Sequence, residues 1–427
     1  MPVRMSQPEA GANILQATGG WRYRCTAMMS GNEDCLLIID YPYVGAIMWR
    51  KVLFGVESFS GGVLRHVVDL ALALDPEEFE VHLITSSLRT DQEASDSIKL
   101  LEQHGIRVVL LPIRHGAAFP GDCMQIVRIA RYIRCHRIAI VHAHSTKAGL
   151  LFRLAAWWSG TRTIYTPHCY YFHARTGMCR RIILSAERFL ARKTDAVILA
   201  ENERCAALDA SAVNVARIRV INNAMATFRY QTYSREETQR AWELPQQNYI
   251  IGGVGRLCRQ KQWRVLIEAA AEVFRHRDDV TFLIAGEGEE RASLERAIRK
   301  RHLEGKVRLL GHVSDVSKTY SCLDVFVSTS LWEGLPYAYL EADCFGLPMI
   351  LPRLPYLDRL FQGESYRYFP PGDSYAFANQ LLLQLEAMSV NGKKPEKIAK
   401  MSQPDKEAFD RFVSAHRQLY LELAERI

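Results

Sequence analysis

The sequence predicts an α/β protein built from two doubly wound parallel-sheet domains that face each other across a cleft. Three observations carry this. Short apolar runs alternate with amphipathic helices along most of the chain, the pattern of strands covered on both faces. The alternation comes in two series, separated by a polar stretch at 227–247. And 427 residues are too many for one ordinary core.

Residues 1–47 carry Gly, Ser, Gln and Asn with little periodicity before Leu36, which predicts a partly disordered extension. Met48-Trp49-Arg50-Lys51 directly precedes the first convincing strand. The functional chain is therefore expected to begin near Met48, the upstream part being an extension or a misassigned start. The first domain, 48–226, has expected strands at Val52–Val56, Val81–Thr85, Val108–Leu111, Ile138–His142, Thr163–Thr166 and Ala196–Leu199. Helices such as Val63–Leu74 and Met124–His136 fall between them. The second domain, 227–404, has expected strands at Ile250–Val254, Thr281–Ala285, Val307–Leu310, Val325–Val327 and Met349–Leu351. Its expected helices are Trp263–His276, Ala292–Arg301 and Tyr337–Phe345. Residues 388–405 read as a lysine-rich loop. A last helix, about Asp405 to Ala424, repeats Phe409, Phe412, Val413, His416, Leu419, Tyr420 and Leu423 at helical spacing.

Composition removes several classes. Hydrophobic content of 48% and charged content of 24% exclude a disordered chain. No run reaches the roughly 18 apolar residues of a spanning helix. The most apolar N-terminal stretch, Leu36 to Trp49, is broken by Asp40 and Pro42 and lacks the flanks of a signal peptide, so a cytoplasmic protein is expected. The 10 cysteines show no C-x-x-C and no zinc-type spacing, which predicts reduced thiols and no structural metal. A formal charge of +7 suits an anionic partner: nucleic acid, an acidic membrane or a phosphorylated substrate. No helix-turn-helix, zinc finger or RNP-like strand is present, so no nucleic acid is expected.

In doubly wound sheets ligands bind at the carboxyl ends of the strands, so the loops there are the candidate site. The most informative is S-T-S-L-W-E-G-L-P-Y-A-Y-L-E at 328–341. It leaves the buried run Val325–Val327 and enters a helix, with Pro336 at the first helical position. Glu333 lies on the loop and Glu341, eight positions on, lies inside the helix. Gly334 lets backbone approach a ligand, and the free amides of the first turn, from Leu335 onward, favour an anion. Carboxylates beside an anion site suit a ligand with both phosphate and hydroxyls, a nucleotide sugar. Two surface glutamates on an ordinary helix would look the same in isolation.

Arg256 and Lys261 lie at a later strand-to-helix junction, where a guanidinium fork and a point charge suit a diphosphate. Two solvated cations are the bland alternative. Gly61 and Gly62 open the helix after the first strand and permit a tight turn close to a ligand. They are not part of a G-x-G-x-x-G string, so a nicotinamide cofactor is not indicated. His168 ends a strand before an aromatic loop and is placed to meet a ligand. His142 and His144 alternate onto one face, which makes a metal pair conceivable. With no carboxylate nearby, the expectation is no metal and a strand end lining the cleft, His144 being a cleft residue. Gly286 and Gly288 form either a turn near the nucleotide base or an ordinary turn.

In this order the strings resemble those of the retaining glycosyltransferases of family 4, which have the GT-B fold. The matching pieces are the E-x7-E string with Gly-Leu-Pro at 334–336 and 346–348, G-G-V-L-R-H-V at 61–67, H-A-H at 142–144, Thr-Pro-His at 166–168 and G-R-L-x-x-x-K at 255–261. The resemblance spans about 50–425. Cys169 and Gln262 depart from it, standing where glycine is common, and Ile221–Ala226 keeps only Asn223 of the family's P-N-G-V-D. The resemblance implies two Rossmann-like domains with the last helix, 405–427, crossing back to the first. It implies retaining, metal-independent transfer of a sugar from a nucleoside-diphosphate donor to an acceptor hydroxyl, with no cofactor. Donor binding then falls on Gly62, Arg256, Lys261, Gly286, Glu333, Gly334, Leu335 and Glu341, and the acceptor side on Gly61, Gly62 and His144. The catalytic set is His168, Glu333, Arg256 and Lys261. Glu341 would hold the ribose, Glu333 would orient the sugar, and His168 would touch the sugar from the facing domain. The leaving diphosphate would act as base on the same face.

The segment His173 to Lys193 carries Arg175, Arg180, Arg181, Arg188, Arg192 and Lys193 against one acid, Glu187, with Ile182, Ile183, Leu184, Phe189 and Leu190. A helix with a solvated face and a helix resting on an anionic membrane are equally good readings. The second implies a lipid-linked acceptor, surface polysaccharide synthesis and a peripheral position at the inner face of the plasma membrane. Two rivals stand beside the transferase reading: a nucleotide-sugar 2-epimerase of the same fold, which needs no acceptor, and a non-catalytic sugar-binding subunit.

Overall fold

The computed structural model describes residues 13–17, 21–25, 50–88, 91–116, 120–170, 177–209, 214–226, 230–355, 357–390 and 406–425. The stretch around Met48, Arg175 and the lysine-rich loop after 390 lie outside them. Before residue 50 the chain forms an antiparallel pair, Asn13–Ala17 (β1) with Trp21–Cys25 (β2), in a region where no periodicity predicts one.

From Arg50 the order is β3 (Arg50–Val56), α1 (Gly61–Ala73), β4 (Phe79–Ser86), α2 (Gln92–Gln103), β5 (Arg107–Leu111), α3 (Gly121–Cys135), β6 (Ile140–His144), α4 (Thr146–Ser159), β7 (Arg162–Thr166), α5 (Gly177–Ala191), β8 (Ala196–Leu199), α6 (Glu201–Asp209) and β9 (Ile218–Val220). These strands make a parallel sheet of seven in the order β5-β4-β3-β6-β7-β8-β9. The second series is α7 (Arg235–Ala241), β10 (Tyr249–Val254), α8 (Trp263–Val273), β11 (Val280–Ala285), α9 (Arg291–Lys300), β12 (Val307–Gly311), α10 (Val316–Cys322), β13 (Val325–Val327), α11 (Tyr337–Cys344), β14 (Met349–Pro352), α12 (Leu357–Leu360), β15 (Tyr366–Phe369) and α13 (Ser374–Val390). It makes a parallel sheet of six, β12-β11-β10-β13-β14-β15. The last helix is α14 (Lys406–Ala424).

Alternate residues of each central strand enter different cores, as a period of two requires. Val52, Phe54 and Val56 pack with α1, α2 and α14, while Leu53 packs with α3 and α4. Ile251 packs with α8, α9 and α13, while Ile250 packs with α10, α11 and α12. Both faces of each sheet are therefore buried, which is why the strands read as unbroken apolar runs. α14 lies on the first sheet: Phe412, Leu419, Tyr420 and Leu423 join that core, and the Tyr420 hydroxyl meets His142 Nδ1 at 2.7 Å.

Within the two parallel sheets, two strands escape the sequence pattern. β9 and β15 are edge strands of three and four residues whose side chains are mostly half-exposed, so the apolar signal is weak. The fourth strand of the first series ends at His144 and not at His142. Pro336 is the residue before α11, with extended backbone, and Tyr337 is the first helical position.

Candidate functional site

In each sheet the strand order reverses beside its first strand, between β3 and β6 and between β10 and β13. A crevice opens at the carboxyl ends of strands at such a reversal. The start of α1 comes against the first turn of α11, and the loop after β7 feels the charges on the loops that leave β10 and β13.

The loop after β13 carries Glu333, whose side chain is nearly buried. Its Oε1 receives the Lys261 ammonium at 2.6 Å and the Ser330 hydroxyl at 2.6 Å, and its Oε2 lies 3.4 Å from the Gln260 amide. Glu333 thus holds Lys261 in place, a task the sequence does not assign to it. Lys261 curls back over Gly255, where a Cβ would meet its Cε at 3.1 Å. Arg256 is exposed on the same turn. Gly286 and Gly288 are glycines for a packing reason: a Cβ there would lie 2.0 Å from the Gly255 carbonyl and 2.3 Å from that of Leu257. They shape the cation-bearing loop, which favours the ordinary-turn reading.

α11 starts without a side-chain cap, and the Tyr339 amide bonds the Pro336 carbonyl at 3.1 Å, so the positive end of the helix dipole stands beside Gly334 and Leu335. Gly61 and Gly62 face this turn from the other half: a Cβ on Gly62 would stand 3.3 Å from the Tyr337 ring. Gly61 has a φ of +55°, the left-handed region that glycine tolerates.

Glu341 is fully buried and already engaged. Tyr230 donates to Oε1 at 2.8 Å, Tyr320 donates to Oε2 at 2.5 Å, and the Arg65 guanidinium of α1 contacts Oε1. A cleft lined by Arg65, Glu93, Tyr230 and residues 314–317 opens beside this contact. Arg65 lies within G-G-V-L-R-H-V yet has no role in the sequence reading; it ties the two halves together at the carboxylate expected to hold a ribose.

His168 and Cys169 follow β7 with φ of +52° and +100°. The second value explains the family's glycine at this place: the backbone turn is kept, and a side chain is carried through it at a cost. His168 is half-buried, and its Nε2 lies 3.1 Å from Nδ1 of His144. The sequence places His144 on the cleft, but it is fully buried behind other rings. Its neighbours come from several elements: His142, His66 of α1 and His168. Burial, reinforced by neighbouring imidazoles, holds His66, His142 and His144 well below the usual histidine range. Burial brings His168 down to about 3 and His416 to about 4. His66, His144 and His168 offer ring nitrogens within 4.8 Å of one another and are the group that could reach a metal ion. His142 could not join them, since its nitrogens meet Tyr420 and Thr166. Asn223 completes the seam: its amide donates to the Leu335 carbonyl at 2.7 Å and its Oδ1 accepts from His66 Nδ1 at 3.1 Å.

Residues 61–224 match the family described as "Glycosyl transferase 4-like domain", and residues 248–387 match "Glycosyl transferases group 1". The chain belongs to the group 1 glycosyltransferases. This glycosyltransferase is 27% identical over 290 residues to the UDP-Gal:alpha-D-GlcNAc-diphosphoundecaprenol alpha-1,3-galactosyltransferase of Escherichia coli, covering 66% of this chain and 73% of that one. It is 24% identical over 285 residues to the amylovoran biosynthesis glycosyltransferase AmsD of Erwinia amylovora, covering 62% and 78%. Among solved structures, Anabaena HepE in complex with UDP and glucose superposes with a TM-score of 0.70 at 20% identity, over 88% of this chain and 100% of that one. That likeness establishes the GT-B fold. No helix among the described residues is long and apolar enough to cross a membrane.

Proposed function

We propose that this glycosyltransferase moves a sugar, with retention and without a metal ion, from a nucleoside-diphosphate donor to a hydroxyl of a lipid-linked saccharide at an anionic membrane surface, in the making of a surface polysaccharide. The observation that carries the donor half is the Lys261–Glu333 pair at 2.6 Å beside exposed Arg256 and the uncapped start of α11. Two cations and the positive end of the α11 dipole would neutralise a diphosphate as it leaves. Glu333 would hold Lys261 and present its carboxylate to the sugar hydroxyls. His168 would meet the sugar from the facing loop as a neutral imidazole. Leaving-group oxygen and acceptor would then share one face, with the diphosphate as base. That HepE, of the same fold, was solved in complex with UDP agrees with a nucleotide ligand.

The acceptor half rests on a surface. Glu187 is turned inward, paired with buried Arg153 at 2.7 Å. The outer face of α5 is left with exposed Arg180, Arg181 and Arg188, and the turn after it with exposed Arg192 and Lys193. Beside them stand exposed Trp157, Trp158, Met178, Ile182 and Phe189, with Trp157 packed on Phe189 at 5.9 Å and Lys193 over the Trp157 ring. Cations around exposed aromatics suit an anionic bilayer. The E. coli relative's name specifies a diphosphoundecaprenol acceptor, which agrees with that surface.

The test incubates the enzyme with a panel of UDP-, GDP- and ADP-hexoses, with and without a polyprenyl-diphosphate-linked GlcNAc, in excess EDTA. Expected is an acceptor-dependent product with the donor's anomeric configuration by NMR. Conversion of donor alone to its epimer, or an inverted linkage, would overturn the reading.

A further inference from the structure

Glu203 belongs to no motif that marks the site, yet it stands on the seam between the two halves. It sits in the first turn of α6, immediately beyond β8, and is 8% exposed. Its Oε2 accepts the Ala200 amide at 3.2 Å, and the Cys169 amide acts on the carboxyl in favour of its charged form. Its Oε1 has no hydrogen-bond partner among the described residues. That oxygen faces the opposite half, 3.0 Å from where a Cβ on Gly334 would be. One carboxyl therefore lies between the His168–Cys169 loop and the Glu333–Gly334 loop.

The groups around it do not welcome a second negative charge. Glu333 acts on it from the loop before α11. Cys169, Tyr165 and Tyr170 share its surroundings, and each is held in its neutral form by burial. No ion pair to Glu203 is formed among the described residues: Arg204 reaches Glu201 at 3.3 Å and Lys261 is committed to Glu333. Arg256 and Lys261 act on Cys169 from beyond it. Burial above all, with Glu333 adding, pushes the carboxyl up to about 7 against the pull of the Ala200 and Cys169 amides.

We infer that Glu203 is a positioning residue for the donor, spacing the two loops as a neutral carboxyl, so that binding a nucleoside diphosphate takes up as much as one proton. This rests on the proposed donor site. A diphosphate between the cations and Gly334 adds negative charge on the side Glu333 already occupies, so the bound state favours the neutral carboxyl still more. The step is a protonation only: the carboxylate takes a proton from water, and no bond of the donor changes.

The probe is UDP, titrated calorimetrically at about pH 7 and about pH 8.5, where a one-proton uptake weakens binding by up to about tenfold per unit. Wild-type affinity is expected to fall roughly tenfold between the two, and that of Glu203→Gln, neutral at every pH, by less than about twofold. The titration of UDP itself is common to both. A Glu203→Gln slope equal to that of wild type overturns the inference. If that variant does not fold, titrations of wild type in buffers of different ionisation enthalpy count the protons directly, and none taken up overturns it equally. If wild type binds none of UDP, GDP or ADP at any pH, the donor reading itself fails, which is a distinguishable result.

Discussion

Replacing Lys261 by Met separates two jobs that the Lys261–Glu333 pair performs. The lysine side chain is 16% exposed and the glutamate 7%, with 2.6 Å between Nζ and Oε1. Removing one partner of a buried ion pair costs about 3–5 kcal/mol, because the other charge is left without compensation. Glu333 would keep the Ser330 hydroxyl and the Gln260 amide, so the lower end, about 3 kcal/mol, applies to Lys261→Met. In Glu333→Gln the stranded charge is the less buried lysine, and the cost drops to about 1–2 kcal/mol. In the double variant neither charge remains, which predicts recovery to within about 1 kcal/mol of wild type and a coupling of about 3 kcal/mol. Urea unfolding followed by tryptophan fluorescence reads these values. Turnover tells the other half: both singles and the double should lose about 100- to 1000-fold, since the diphosphate has lost its cation or the cation its anchor. Stability that returns in the double while turnover does not is the expected signature. Additive stabilities, or a Lys261→Met variant of unchanged turnover, would falsify the assignment.

Three further outcomes are expected. Cys169 and Gln262 hold φ of +100° and +50°, so Cys169→Gly and Gln262→Gly should each raise stability by about 1 kcal/mol, and a lowered melting point for both would refute the backbone argument. His168 and His416 have native values of about 3 and about 4, depressed by burial, against an ordinary value near 6.5. The unfolded chain therefore binds the protons first, and stability present above pH 6.5 is lost as pH falls, by about 2 kcal/mol per histidine at about pH 5; a flat profile between about pH 7.5 and about pH 5 would contradict the neutral cluster. Trp157→Ala with Trp158→Ala, or charge reversal at Arg180, Arg181 and Arg188, should abolish flotation with phosphatidylglycerol vesicles while leaving nucleotide binding intact; flotation insensitive to both would remove the membrane face.

Much of the fold is legible in the chain because a strand buried on both faces must be apolar throughout, and Val52–Val56 or Val325–Val327 can hardly be read otherwise. The edges are less legible. β9 and β15 are short and half-exposed, and their identity depends on the strands beside them. The loops were found because Gly334, Gly62, Arg256 and Lys261 occur in strings whose chemistry is local. Glu203 escaped altogether, and Asn223 and Arg65, though they stand in matching strings, were given no contact, because no local pattern distinguishes a seam residue from a solvated one.

By itself the sequence determined two doubly wound halves and the turns where cations, amides and carboxylates would stand, since periodicity and turn chemistry act over a few neighbouring residues. Tertiary structure alone decided what those groups touch. It gave Glu333 to Lys261 and Glu341 to Arg65 and two tyrosines, gathered histidines from α1, β6, α14 and the loop after β7 into one neutral cluster, and set Glu203 against Gly334. Each of those contacts joins residues far apart in the chain, and which of them meet depends on how the two sheets and the last helix pack.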